Sequence, residues 1–286
     1  MRRAILMCAG EYEPIPIPVG KKNKSLRSAE AFDDSVPEDV LVAAVDGGLP
    51  RLLAQKIMPD LVMGDFDSLD SRFQPILDQF GASHPESLLR LPCEKDDTDT
   101  IYAARMCLER GCTELLFYGA LGGRLDHTFA NIQMLAWLKK QGADGYLIGK
   151  TTMAAVLGEE TVFLPEDYEG TFSLFALDGQ VTGVTLKGMK YPLADVSLTN
   201  SFPIGVSNEV NRETVKETDC GRASVTIGSG MALMILEKSE SQVIRQAKRQ
   251  LEENGQREKD AAKGMRKGDL SSECMPDPSL FRRLPN

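Results

Sequence analysis

The 286 residues include 42% hydrophobic and 26% charged side chains, enough for two modest cores in a globular protein, and carry a formal net charge of -9. That acidity argues against a protein that clamps nucleic acid along its phosphates. It also opposes polyphosphate binding, unless a local basic group or divalent cations reverse the sign of the carboxylates.

The first half alternates short apolar runs with helix-period segments. RRAILMCAG, VLVAAVDGG, PDLVMGDFDS, TELLFYGALGG and DGYLIGK read as strands ending in Gly or Asp, the pattern of a parallel sheet. Between the first two, residues 11–38 read as a loop with Pro14, Pro16 and Pro18 and then KKNK. Thr98 to Arg110 and Leu125 to Lys140 read as crossover helices. The first sets Ile101, Ala104, Cys107 and Leu108 on one face, and the second sets Phe129, Ile132 and Leu135 together with Trp137 close by. From about Thr152 the runs MAAVLG, TVFLP, TFSLFAL, VTGVTLKG, SVTIGSG and MALMILEK are short and β-rich, implying an antiparallel sandwich or barrel. Residues 1–150 and 151–238 are thus two domains, and 239–286 is a charged tail, helical or disordered.

No run approaches the roughly 18 apolar residues of a membrane span. The N-terminus turns polar and proline-rich before a secretion signal is complete, so a cytoplasmic protein is expected. The six cysteines form no C-x-x-C pair and there are two histidines, which suits reduced structural thiols better than a zinc site.

The chemistry concentrates in acids at strand ends: Asp46 in DGG, Asp65 and Asp67 in GDFDS, Asp96, Asp97 and Asp99 in KDDTD, and Asp126 in GGRLDH. In an open α/β sheet the carboxyl ends of the strands form one rim, so these acids converge. Asp65 and Asp67, two apart in extended backbone, point to one side, and Asp96 and Asp99 share a helix face. Such a cluster repels itself unless a cation neutralises it, and Mg²⁺ prefers a few carboxylates together with phosphate oxygens. Taken singly, Asp97 reads as a solvated loop carboxylate.

In GALGGRLDHTFANI, residues 119–132, the glycines leave backbone amides open at a helix entrance, where they can cradle phosphate. Arg124 at the mouth supplies the required basic group, a planar guanidinium able to bond two phosphate oxygens. His127 can orient a ligand or cap the first turn, and His84 reads as loop surface.

Taken in order, DGGLPRLLAQKIMPDLVMGDFDSLD, KDDTD and GALGGRLDHTFANI resemble the catalytic signature of thiamine pyrophosphokinases, and LKGMKYPL and GVSNEV are similar to that family's thiamine-side motifs. The resemblance spans residues 2–237. It implies an α/β fold, a Rossmann-like parallel-sheet domain for ATP followed by an antiparallel β-sandwich for thiamine, and a homodimer with the thiamine site at the subunit junction. It implies Asp46, Asp65, Asp67 and Asp99 around Mg²⁺ and the polyphosphate. Asp46, Gly47, Gly48, Gly122, Gly123, Arg124, Asp126 and His127 would lie on the nucleotide, and Ser207 and Asn208 near thiamine. No tryptophan occurs in the second half to cover the thiamine ring.

The expected reaction is attack of the thiamine hydroxyl on the β-phosphorus of ATP, with AMP leaving. Asp65, Asp67, Asp99 and Arg124 would act in it, with Asp67 or Asp99 as candidate base. Two rivals are a D-x-D nucleotide-sugar or other nucleotide-dependent transferase, and a module that senses thiamine diphosphate without turnover.

Overall fold

The computed structural model describes residues 2–11, 40–67, 69–92, 97–216, 218, 221–239 and 242. Six strands build the first half: β1 (Arg2–Met7), β2 (Val40–Val45), β3 (Leu61–Gly64), β4 (Leu88–Arg90), β5 (Cys112–Tyr118) and β6 (Asp144–Ile148). All pair in parallel, in the order β6-β5-β1-β2-β3-β4.

The run through β1 explains its central place. Ala4, Leu6 and Cys8 enter one core, beneath α3 (Asp99–Glu109) and α4 (Leu125–Lys140). Ile5 and Met7 enter a second core on the opposite face, with Leu49 and Leu52 of α1 (Leu49–Ala54) and Leu77 and Phe80 of α2 (Gln74–Ser83). A strand apolar on both faces must be covered on both, and helices cover it here. From β1 the chain steps to β2, β3 and β4 on one side, then returns to β5 and β6 on the other. The strand order reverses between β1 and β5, and a crevice opens at their carboxyl ends.

The second half contains β7 (Thr152–Leu157), β8 (Thr161–Phe163), β9 (Gly170–Ala176), β10 (Gln180–Lys187), β11 (Leu193–Thr199), β12 (Asn208–Glu209), β13 (Ser224–Thr226) and β14 (Ala232–Lys238). A four-stranded antiparallel sheet, β11-β10-β13-β8, faces the segment β12-β9-β14-β7. Phe172 and Leu174 of β9, Val184 and Leu186 of β10, Val225 of β13 and Met234 of β14 share one core. Of the two architectures left open by the sequence, the sandwich is the one formed.

The division near residue 150 is not a break in the sheet. β6 turns tightly into β7, with the Gly149 N–H donating to the Thr152 carbonyl at 2.9 Å, and the two pair antiparallel. One sheet of ten strands therefore runs through both halves. Lys139 fastens the same corner, reaching Asp144 at 2.7 Å and Glu160 at 2.6 Å.

Two sequence expectations change. Strand β4, the edge strand β11, the short β12 and helices α1 and α2 join the expected elements; they are short or lack sustained periodicity. On α4 the buried residues are Asn131, Met134, Leu135 and Leu138, spaced i, i+3, i+4, i+7, while Phe129 is 60% and Leu125 82% exposed. Phe129 lies nearly opposite the face that meets the sheet, so it does not join the apolar stripe expected for it. Asp96, most of the 11–38 loop and nearly all of the 239–286 tail lie outside the described residues.

Candidate active site

A cavity of about 290 Å³ opens at the carboxyl ends of β1 and β5. Its floor is Cys8, Ala9 and Gly10 after β1, with Gly119 and Ala120 after β5; Val45 and Asp46 close one side, Thr98, Asp99 and Thr100 another. Gly122, Arg124, His127 and Asn131 line the α4 side. The floor is held by close backbone approach: the Cys8 N–H donates to the Tyr118 carbonyl and the Gly10 N–H to the Gly119 carbonyl, each at 2.8 Å. A Cβ on Gly10 would stand 2.5 Å from the Gly119 oxygen, and Gly119 itself has φ +68°. Burial pushes the Cys8 thiol up to about 12, so it lines this floor in its neutral form.

Two of the carboxylates, Asp46 and Asp99, line this cavity. Burial raises the Asp46 carboxyl above its ordinary range, and the charges of Asp99, Asp65 and Asp67 push it further, against a lowering hydrogen bond from the Gly47 amide. Asp65 and Asp67 lie outside the cavity lining and reach Asp46 only through their charge. Their local geometry differs from the sequence argument as well. β3 ends at Gly64, and Phe66 has φ 59°, so residues 65–67 form a turn, not extended backbone. Asp67 donates its N–H to the Asp65 carboxylate at 3.2 Å within that turn, and buried Phe66 lies under the Arg90 guanidinium, 5.7 Å from the ring centre. Asp46 is also left-handed, at φ 50°. Such conformations cost on the order of 1–3 kcal/mol and persist where surrounding structure enforces them, often at functional sites.

Among the described residues no three His, Cys, Asp or Glu side chains lie close enough to hold a metal ion by themselves. Thr98 caps α3 by accepting the Ile101 N–H at 3.3 Å, so Asp99 begins that helix. Asp97, just before α3, pairs with Arg105 on that helix, so it is a partly buried ion-pair partner and not the freely solvated carboxylate expected.

Along the glycine loop, Gly122 and Gly123 have φ +82° and +68°, and a Cβ on either would meet no atom within 4 Å. Backbone conformation, not crowding, therefore requires glycine there. Arg124 donates to both carboxylate oxygens of Asp126, at 3.1 and 2.6 Å, and both side chains are exposed. That guanidinium holds the Asp126 carboxyl below its ordinary range, and the same carboxylate accepts the His127 N–H at 2.9 Å. His127 stands exposed on the cavity side of α4. The DGG glycines have a packing reason of their own: a Cβ on Gly48 would lie 1.9 Å from the Met7 oxygen, and one on Gly47 3.0 Å from the Ala9 Cβ.

In the sandwich, Ser207 is left-handed at φ 57° and donates its N–H to the Ser173 hydroxyl at 3.1 Å. Asn208 is buried and faces inward. Its Oδ1 accepts the N–H of Tyr191 at 3.0 Å and of Glu209 at 2.9 Å, and its Nδ2 donates to the Tyr191 carbonyl at 2.7 Å. Asn208 thus clamps the backbone of Tyr191, whose ring is 60% exposed.

Sequence reasoning missed Asn131, Thr100 and Cys8 in the cavity, Tyr191 beside Asn208, and Arg51, which donates to the Ala9 carbonyl. Asn131 left one signal, a polar residue in phase with Met134, Leu135 and Leu138.

Carboxylates facing an amide-rich loop and a guanidinium across a crevice, in a sheet that continues into a sandwich, fit a phosphotransferase that uses a nucleotide. Comparison narrows that class. The thiamin pyrophosphokinase catalytic domain matches residues 32–147, and the thiamin pyrophosphokinase vitamin B1 binding domain matches residues 160–221. Thiamine pyrophosphokinase of Bacillus subtilis is 27% identical over 199 residues, covering 69% of this chain and 87% of the relative. Thiamine pyrophosphokinase 1 of Oryza sativa subsp. japonica is 26% identical over 199 residues, 65% of this chain and 70% of the relative. The crystal structure of the Bacillus subtilis protein has the same fold, with a TM-score of 0.64 at 23% identity, over 84% of this chain and all of that one. The chain belongs to the thiamin pyrophosphokinase family.

Proposed function

We propose that this protein transfers the diphosphate of ATP to the hydroxyl of thiamine, giving thiamine diphosphate and AMP. The observation behind the reading is the crevice bounded by Asp46, Asp99, Gly122 and Arg124 in a chain of this family. The thiamine oxygen bonds to the β-phosphorus, the bond from that phosphorus to the α–β bridging oxygen breaks, and the bridging oxygen leaves with AMP. The hydroxyl proton passes to Asp67, Asp99 or water.

The acid set suits Mg²⁺. Burial and then the charges of Asp99, Asp65 and Asp67 disfavour the ionised Asp46, which a cation would offset, and Mg²⁺ takes few protein carboxylates while phosphate oxygens complete its shell. Asp46, Asp65, Asp67 and Asp99 would hold it, and when bound it would neutralise charge on the polyphosphate. The open amides of Gly122 and Gly123 and the guanidinium of Arg124 bind phosphate oxygens and steady the charge that shifts during transfer. Asp126 keeps Arg124 at the mouth until phosphate competes for it.

On the sandwich side, Ser207 and exposed Tyr191 form the thiamine-facing surface, with Asn208 positioning Tyr191 from behind. A homodimer joins that surface to the crevice of a second subunit. The buried free thiols Cys8, Cys107 and Cys112 suit a reducing cytoplasm. AMP formed only when thiamine accompanies ATP supports this reading; AMP formation indifferent to thiamine overturns it.

A further inference from the structure

We propose that Asn131 is a positioning residue that reads the nucleoside: its Nδ2 anchors the glycine loop through Ala120, and its Oδ1 accepts a hydrogen bond from a donor group of the nucleotide's sugar or base. Asn131 is 6% exposed, lines the cavity and donates to the Ala120 carbonyl at 2.8 Å. A backbone carbonyl only accepts, so the amide orientation is decided: Nδ2 turns toward Ala120 and Oδ1 turns away. Among the described residues Oδ1 meets no hydrogen-bond partner, and the atom is not sealed off from the cavity, so a donor entering there can reach it.

The chemistry of that oxygen limits what satisfies it. A neutral acceptor repels phosphate oxygens and takes a donor, and the donors of a nucleotide are its sugar hydroxyls and its exocyclic amine. Position agrees, because Asn131 is seven residues into the chain from Arg124, about 10 Å along the helix axis. Phosphates held at the mouth by the loop amides and Arg124 leave the sugar and base for this depth. This inference rests on the nucleotide reading of the crevice.

The test compares ATP, 2′-deoxy-ATP, 3′-deoxy-ATP and the triphosphate of purine riboside, which lacks the amine. Each is titrated against the full chain and against Asn131→Leu by equilibrium binding, with thermal melting as a fold check. The wild type should prefer ATP over one of the three analogues by about tenfold, and that analogue identifies sugar or base as the donor. Asn131→Leu should bind that analogue and ATP equally. Should the leucine variant not fold, Asn131→Ser, whose hydroxyl falls short of the same point, is read in the same way. Equal wild-type binding of all four nucleotides overturns the proposal. So does a variant that loses affinity and melting temperature alike for every nucleotide but keeps the preference, since that is what a loop anchor alone would do. Binding needs no acceptor, so failure to make AMP from thiamine would count against the proposed reaction and leave this result standing.

Discussion

Gly48→Ala separates two explanations of the DGG turn, packing and phosphate contact. Gly48 has φ -77° and ψ -24°, a region alanine prefers, so conformation alone favours the substitution by about 0.5–1 kcal/mol. Space opposes it. The new Cβ would stand 1.9 Å from the Met7 oxygen and 2.6 Å from its carbonyl carbon. Met7 is fully buried in β1, paired to Ala44 on one side and Tyr118 on the other, so it cannot retreat without disturbing both ladders. Overpacking commonly costs 1–3 kcal/mol, and a clash with central-strand backbone belongs at the upper end, about 3 kcal/mol net. At about 2–4 °C per kcal/mol for a fold of this size, melting should fall by roughly 6–12 °C. Gly47→Ala meets only the Ala9 Cβ, at 3.0 Å, and should cost less than about 1 kcal/mol. Thermal melting and nucleotide titration of both variants decide the matter. If Gly48→Ala melts within 2 °C of the wild type yet loses nucleotide binding, the packing account is wrong and the turn serves phosphate.

Asp46→Asn should stabilise the protein while abolishing transfer. A carboxyl whose folded pKa is raised contributes stability below its unfolded value of 3.8 and loses it as pH rises through the folded value. The variant should therefore melt higher than the wild type at pH 7, a gain that vanishes toward pH 3; a pH-independent difference in melting contradicts the burial and repulsion inferred at this site. Arg124→Lys should lower kcat/KM on the order of 100-fold, since a point charge replaces a two-pronged donor, and should leave melting unchanged because the Arg124–Asp126 pair is exposed. Lys139→Met should cost about 1–3 kcal/mol in urea unfolding by leaving Asp144 and Glu160 without their shared cation, an effect added salt only partly mimics. Cys8, its thiol held neutral in the cavity floor, should react with maleimide at pH 8 at least about 100-fold more slowly than in the denatured chain.

Periodicity made the sheet legible. The five parallel strands with apolar runs on both faces were marked, and the limits Leu125 and Lys140 of α4 match residue for residue. What escaped was short or partly exposed: β4 has three residues, two half-buried and one exposed, and β11 is an edge strand whose alternation is blurred by Asp195. At the site, residue types were readable and geometry was not. The acids could be named from their places at strand ends, yet the Asp65–Asp67 turn depends on a left-handed Phe66 that no spacing rule reveals. Asn208 looked like a ligand contact, and only tertiary structure turns its amide inward onto Tyr191. Phe129 looked like core because apolar character suggests burial, whereas helix phase decides it.

The central claim is best tested by one coupled assay on the purified full chain with ATP and Mg²⁺, following AMP release and thiamine diphosphate together. The account predicts that both appear in equal amounts, only when thiamine is present, and that Asp65→Asn with Asp67→Asn stops both. AMP or ADP formed without thiamine, a sugar acceptor serving in its place, or thiamine diphosphate binding with no turnover would contradict it.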